Sequence, residues 1–318
     1  MKLILDLDTG IDDALALTYA LGQPEAELIG VTTTFGNVTI DKAVKNTLDL
    51  LALLNREDVP VFRGSVFPWG SNSYQTTDDL HRVHGLNGIG NVVLLESSKA
   101  VQSQSAVDFL IESAENFGED LTIVTAGPLT NLAEAIKKNS TAMSKVGRIV
   151  MMAGALTIPG NLSPFAEANV LNDPLAAKFV LESGISFTMI GLDVTLQTMI
   201  DQKDIKQWQT IPTNAAKAIT EMTTYYYTNE YSGEEFGGAL HDPLAVAAAI
   251  DPAILTQVLP INLTVETTGP SIGRTIGDLT GLNNPIKSAA VGLAVDSTAF
   301  LEDFFTITNN FLMNVKSI

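Results

Sequence analysis

The chain has 318 residues, 46% of them hydrophobic, and no cysteine. It can bury a large α/β core, while disulfides, thiolate metal sites and cysteine nucleophiles are excluded. Lys and Arg number 18 against 36 Asp and Glu, a formal charge of −18, which argues against nucleic acid and anionic membranes as partners because both need concentrated positive charge. No stretch approaches the roughly 20 consecutive apolar residues that span a bilayer. The start Met1-Lys2-Leu3-Ile4-Leu5-Asp6 turns acidic too soon for a signal peptide, so a cytoplasmic protein is expected.

Strand and helix patterns alternate from the start. An apolar strand over 3–6 runs through an acidic turn into a helix over 13–21, which Gly22 and Pro24 stop. A strand over 28–34 precedes a helix over 40–54. A helix over 105–116, a strand over 121–125, a helix over 129–138 and a strand over 148–152 follow. Residues 156–170 read as a long ordered loop, a type that often carries function. Asp173-Pro174 opens a helix to 182, and a strand covers 186–191. Residues 197–240 read as a largely helical insertion carrying Tyr225-Tyr226-Tyr227, expected to pack within a helix, and Tyr231. Beyond Pro243 come a short helix over 244–250, a strand near 261–265 and a last helix near 299–314. The alternation predicts α/β architecture: a mostly parallel sheet with helices on both faces, in a single domain over 1–318.

In open α/β sheets the ligand site lies beyond the carboxyl ends of the strands. The first strand delivers Asp6-Leu7-Asp8-Thr9-Gly10-Ile11-Asp12-Asp13, four carboxylates in eight residues. Residues two apart on a strand share a face, so Asp6 and Asp8 start out together. Crowded carboxylates repel unless a cation or shared protons offset them, and oxygen donors at this density suit Ca²⁺ or Mg²⁺. A plainer account makes Asp12 a helix cap, Asp13 a complement to the helix dipole and Asp6 a satisfied strand-end acid, which does not use all four. The second strand leads to Phe35-Gly36-Asn37, the third to Ala126-Gly127-Pro128-Leu129-Thr130-Asn131, and the fourth to Met152-Ala153-Gly154 and on to Asn161, Glu167 and Asn169. This edge is rich in Asp and Asn. It holds no lysine and no glycine-rich phosphate loop. Of the histidines, His84 opens a glycine-rich loop, and His241 stands before Asp242-Pro243, where Asp242 as N-cap and Pro243 as first helical residue leave His241 unexplained.

The motifs D-x-D-x-G-x-D-D (residues 6–13), Gly36-Asn37, Gly127-Pro128-Leu129-Thr130-Asn131, Gly160-Asn161 with Ala166-Glu167-Ala168-Asn169, and His241-Asp242-Pro243 fall in order along the chain. Together they resemble the inosine-uridine-preferring nucleoside hydrolase family. The resemblance implies a Ca²⁺-dependent N-ribohydrolase on an open, Rossmann-like fold, assembled as a homodimer or homotetramer. It implies Asp8, Asp13 and Asp242 as Ca²⁺ ligands, joined by the main-chain carbonyl of Ala126. Asp12, Asn37, Asn161, Glu167 and Asn169 match residues that hold the ribose, His241 matches the leaving-group acid, and His84 a histidine near the base. Asp8 is then the natural general base for an ion-oriented water. Two departures bear on substrate choice: many members carry Phe where this chain has Ala168, and acidic residues where it has Leu86-Asn87. The two histidines favour the inosine-uridine type over a strictly purine-specific one.

Two other readings share parts of this pattern. The first strand also resembles that of haloacid-dehalogenase phosphatases, with Asp6 as nucleophile, which leaves Asp12-Asp13 and His241-Asp242 without a role. A non-catalytic Ca²⁺-dependent nucleoside-binding protein would share the ligands but not need His241.

Overall fold

The computed structural model describes residues 1–230 and 237–316, so Tyr231 of the expected insertion lies outside the described residues. Its centre is an eight-stranded sheet in the order β3-β2-β1-β4-β5-β6-β12-β9. In chain order these strands are β1 (Lys2–Leu7), β2 (Glu27–Thr33), β3 (Val61–Arg63), β4 (Leu121–Thr125), β5 (Arg148–Met151) and β6 (Phe187–Met189), then β9 (Leu255–Ile261) and β12 (Ala289–Val295). All neighbours pair in parallel except β9, which runs antiparallel to β12 at one edge. Two short antiparallel pairs lie apart, β7 (Met199–Asp201) with β8 (Gly237–Ala239), and β10 (Leu263–Val265) with β11 (Thr275–Gly277).

β1 shows why the sheet needs cover on both faces. Leu3, Leu5 and Leu7 enter one core with the helices Ile11–Gly22, His241–Ile250 and Ser297–Asn314, while Ile4 enters a second core with the helices Ala106–Phe117 and Thr130–Lys138. A strand buried on both faces reads as a continuous apolar run, and each fully buried Leu or Ile contributes roughly 1.5–3 kcal/mol. The helix Ile11–Gly22 is itself buried over Ile11–Leu21, packed between the His241–Ile250 helix and the C-terminal helix.

Several expectations shift. The strand expected near 261–265 is a junction: β9 ends at Ile261 and β10 begins at Leu263, with the Asn262 side chain between them bonding to Ser288 and Ile286. β3 and β12 carried no sequence expectation, and β12 lies inside the sheet between β6 and β9. The 197–240 insertion contains the helices Gln202–Gln209 and Asn214–Glu230, framed by the β7–β8 pair. His84 does not open a loop; it closes the helix Asp78–His84. Among the described residues, no helix is long and apolar enough to cross a membrane.

Candidate active site

The carboxyl end of β1 sets the site. Asp8 follows the strand and is fully buried. Its Oδ2 accepts from the backbone N–H of Asn37 at 2.7 Å and its Oδ1 from Asn37 Nδ2 at 3.0 Å. Gly36 permits that approach, since a Cβ there would sit 1.8 Å from Asp8 Oδ2. Gly10 does the same one turn on, where a Cβ would lie 2.7 Å from His84 Nδ1 and 2.8 Å from Asn37 Nδ2. Asp13, not Asp12, stabilises the helix start: its Oδ2 accepts from Gly10 N–H at 2.7 Å, the return half of a capping box.

Asp12 and Asp13 then meet Asp242, which the neighbouring helix His241–Ile250 brings from late in the chain. Each offers one carboxylate oxygen to a group in which all the donor atoms lie within 4.8 Å of one another, and all three residues are buried. Asp13 Oδ1 and both oxygens of Asp242 have no hydrogen-bond partner among the described residues. The His241–Ile250 helix is capped at Leu240, with Asp242 inside its first turn, so the cap expected at Asp242 is displaced and its carboxylate is left for other work. Burial pushes the Asp242 carboxyl well above the usual carboxylate range, and the charges of Asp12, Asp13 and Asp8 push it further. Burial also raises Asp13, to about 7, with the charge of Asp12 adding to it. Asp8 is raised well above its ordinary value by burial and then by Asp13. Buried, oxygen-only, mutually repelling donors are the chemistry of a hard divalent-cation site. This donor set fits one.

The tight group consists of Asp12, Asp13 and Asp242. Asp8 stands beside it: Asn37 Nδ2 lies 3.0 Å from Asp8 Oδ1 and 3.4 Å from Asp13 Oδ2, bridging the two carboxylates. Asp6 stays apart from the cluster. Its Oδ1 accepts from Thr32 Oγ1 at 2.6 Å and Asn131 Nδ2 at 2.7 Å, and burial raises its carboxyl to about 6 against the pull of those two bonds.

Above the carboxylates opens a cavity of about 420 Å³, in the size range of small-molecule sites. Asp12, Asn37, His84, Ala126, Asn161, Glu167, Asn169 and His241 all line it. Asn169 Nδ2 donates to the carbonyl oxygens of Ala126 at 3.0 Å and Met152 at 2.9 Å, tying together the turns that follow β4 and β5. Glu167 caps the helix Ala168–Asn172, with its carboxylate accepting from the backbone N–H groups of Gly154, Asn169 and Val170. Burial raises its pKa, and these three bonds oppose the rise. Asn161 sits at the exposed rim and accepts from Ala168 N–H at 3.0 Å. His241 Nδ1 pairs with Thr195 Oγ1 at 2.8 Å. His84 Nδ1 lies 3.4 Å from the backbone N of Ile11, and its ring stands 5.2 Å from that of Tyr226.

Sequence reasoning missed one wall of the cavity. Leu80, Arg82 and Tyr226 line it. The tyrosine run divides: Tyr227 is buried and donates to the Ala239 carbonyl, as packing predicts, whereas Tyr226 faces the cavity. The helix Asp78–His84 has seven residues, too few to show an apolar period, so Arg82 gave no signal beyond its nearness to His84.

Residues 3–302 match the family model described as inosine-uridine preferring nucleoside hydrolase. The chain is 38% identical over 278 residues to uridine nucleosidase 1 of Arabidopsis thaliana, covering 87% of this chain and 82% of that protein. It is 37% identical over 303 residues to the pyrimidine-specific ribonucleoside hydrolase RihA of Shewanella sp. (strain MR-7), covering 94% and 93%. The solved structure of a purine-preferring ribonucleoside hydrolase from Gardnerella vaginalis superposes with a TM-score of 0.96 at 45% identity, over 98% of this chain and 99% of that one. With the motif residues gathered on one cavity and the match extending over nearly the whole chain, this protein belongs to the inosine-uridine preferring nucleoside hydrolase family and is an N-glycosidase.

Proposed function

We propose that this chain hydrolyses the N-glycosidic bond of ribonucleosides of the uridine and inosine type to ribose and free base, with Ca²⁺ as cofactor. The observation that carries the reading is the group of buried carboxylates with unsatisfied oxygens beneath a cavity that His241 lines. Asp8, Asp13, Asp242 and the Ala126 carbonyl would hold the ion, whose charge would acidify a water and attract the ribose hydroxyls. Asp8 accepts the proton of the attacking water, as a carboxylate standing beside the ion that would orient that water. Asp12 and Asn37 hold the sugar hydroxyls on one side, and Asn161, Glu167 and Asn169 frame the other. Thr195 fixes His241 Nδ1, which makes Nε2 the nitrogen for proton delivery to the leaving base, with His84 beside that base. An anionic floor suits a sugar that gains positive charge as the bond breaks.

The same reading takes residues 1–318 as one domain, in a cytoplasmic homodimer or homotetramer. The phosphatase alternative draws no support from Asp6, which bonds to Thr32 and Asn131 away from the cavity lining. Ribose release from uridine and inosine, measured beside phosphate release from a phosphomonoester, tests the function. Ribose without phosphate is expected, lost in excess chelator and restored by Ca²⁺. Full ribose release after exhaustive chelation would defeat the cofactor assignment, and no release at all would favour a binding protein.

A further inference from the structure

One end of the cavity is built by two helices, Asp78–His84 and Asn214–Glu230, that pack on each other. His84 and Tyr226, one from each, set their rings 5.2 Å apart at 35° and both line the cavity, a wall suited to a planar ring. Arg82 lines the same end. Its guanidinium donates to the backbone carbonyl of Asn229 and stands 3.5 Å from Asp79, so the fork is tethered to both helices. A guanidinium carries five N–H donors and no acceptor, and these tethers leave donors over. Among the described residues lining the cavity, Arg82 is the one Lys or Arg, where Asp12, Asp79 and Glu167 are the acids.

We infer that Arg82 is a specificity-determining residue that reads the leaving base, favouring bases with a ring carbonyl over those with an amino group in its place. The inference rests on the ribonucleoside reading above. Uracil and hypoxanthine present a carbonyl oxygen where cytosine and adenine present an amine. A donor-only fork pairs with the carbonyl and meets the amine donor to donor. One residue thereby accepts a pyrimidine and a purine through their shared group, which ring size alone does not explain. Arg82 makes and breaks no bond.

The test is kcat/KM of the full chain with Ca²⁺ for four substrates: uridine, cytidine, inosine and adenosine. It compares wild type with Arg82→Ala and Arg82→Gln. Comparing ratios between variants cancels the intrinsic leaving ability of each base. A hydrogen bond to a charged group that stays partly in water sets the expected carbonyl preference of the wild type at about tenfold. Arg82→Ala is expected to lower uridine and inosine by that factor and to leave cytidine and adenosine nearly unchanged. Arg82→Gln, whose amide both donates and accepts, is expected to favour the amino bases more than Arg82→Ala does. Equal losses on all four substrates would mean that Arg82 only ties the two helices together, and the assignment would be overturned; unchanged ratios would overturn it as well. Should Arg82→Ala fail to fold, the Gln variant carries the same comparison. Hydrolysis of none of the four by wild type would instead remove the ribonucleoside reading, and this inference with it.

Discussion

Replacing Asp13 by Asn should stabilise the metal-free protein while abolishing its response to Ca²⁺. Asp13 is fully buried, and its carboxyl is raised from 3.8 to about 7 by burial and by the charge of Asp12. A folded-state pKa above the unfolded value means that the stability this group contributes is fully present below pH 3.8, falls as pH rises, and is lost once pH passes about 7. At about 1.4 kcal/mol for each pKa unit, the metal-free protein at pH 8 gives up on the order of 4 kcal/mol to this one carboxyl. Asn keeps an acceptor for the Gly10 N–H and never ionises, so it removes most of that penalty. Asp8, relieved of its neighbour's charge, ionises more readily, which adds to the gain rather than opposing it. A net rise of about 2–4 kcal/mol is expected. Urea unfolding in excess chelator at pH 5 and pH 8 measures it: the variant should lead at both, with a lead at pH 5 of roughly a third of that at pH 8, because pH 5 lies only part of the way from 3.8 to about 7. With saturating Ca²⁺ the order should reverse, because wild type alone keeps the full ligand set. If the variant is the less stable protein in chelator at pH 8, the carboxylate-repulsion account fails.

Asp8→Asn should fold and lose about 10²–10⁴-fold in kcat, the usual cost of removing a general base; steady-state uridine hydrolysis at neutral pH checks it. His241→Ala should hurt uridine far more than a nitrophenyl riboside, whose leaving group needs no proton, and equal losses on both would make His241 a positioning residue. Gly36→Ala places a methyl 1.8 Å from Asp8 Oδ2, so about 1–3 kcal/mol of stability should go, as for an overpacked core, together with activity as Asp8 is pushed aside. Thermal melts and uridine turnover read the two losses separately.

Much of the site was legible because it hangs on local rules. A strand buried on both faces announces itself as Leu3-Ile4-Leu5, and the acids after it had to lie at the sheet's carboxyl edge. What escaped was set by distant partners. Asp6 and Asp8 look alike in sequence, yet Asn131, 125 residues away, draws Asp6 into a structural bond, while Asn37 claims Asp8. β12 is Ala-Ala-Val-Gly-Leu-Ala-Val, too poor in branched and aromatic residues to read as a strand; its place between β6 and β9 makes it one. β3 has three residues, below any periodic signal.

The Asn169 amide decides more than the posture of one loop. Both hydrogens of its nitrogen are committed to the carbonyl oxygens of Ala126 and Met152, so only its oxygen remains for a visitor. The neighbouring Glu167 carboxylate is held by three backbone N–H groups and likewise offers only acceptors. A sugar hydroxyl reaching this corner can donate and be held; a phosphate ester, which brings acceptors and charge, finds no proton to receive and two oxygen-bearing side chains to repel it. On the ribonucleoside reading proposed above, this corner is expected to act as a filter on substrate form, admitting the bare nucleoside and turning away its phosphorylated counterpart, in a protein whose −18 charge discourages anions at a distance.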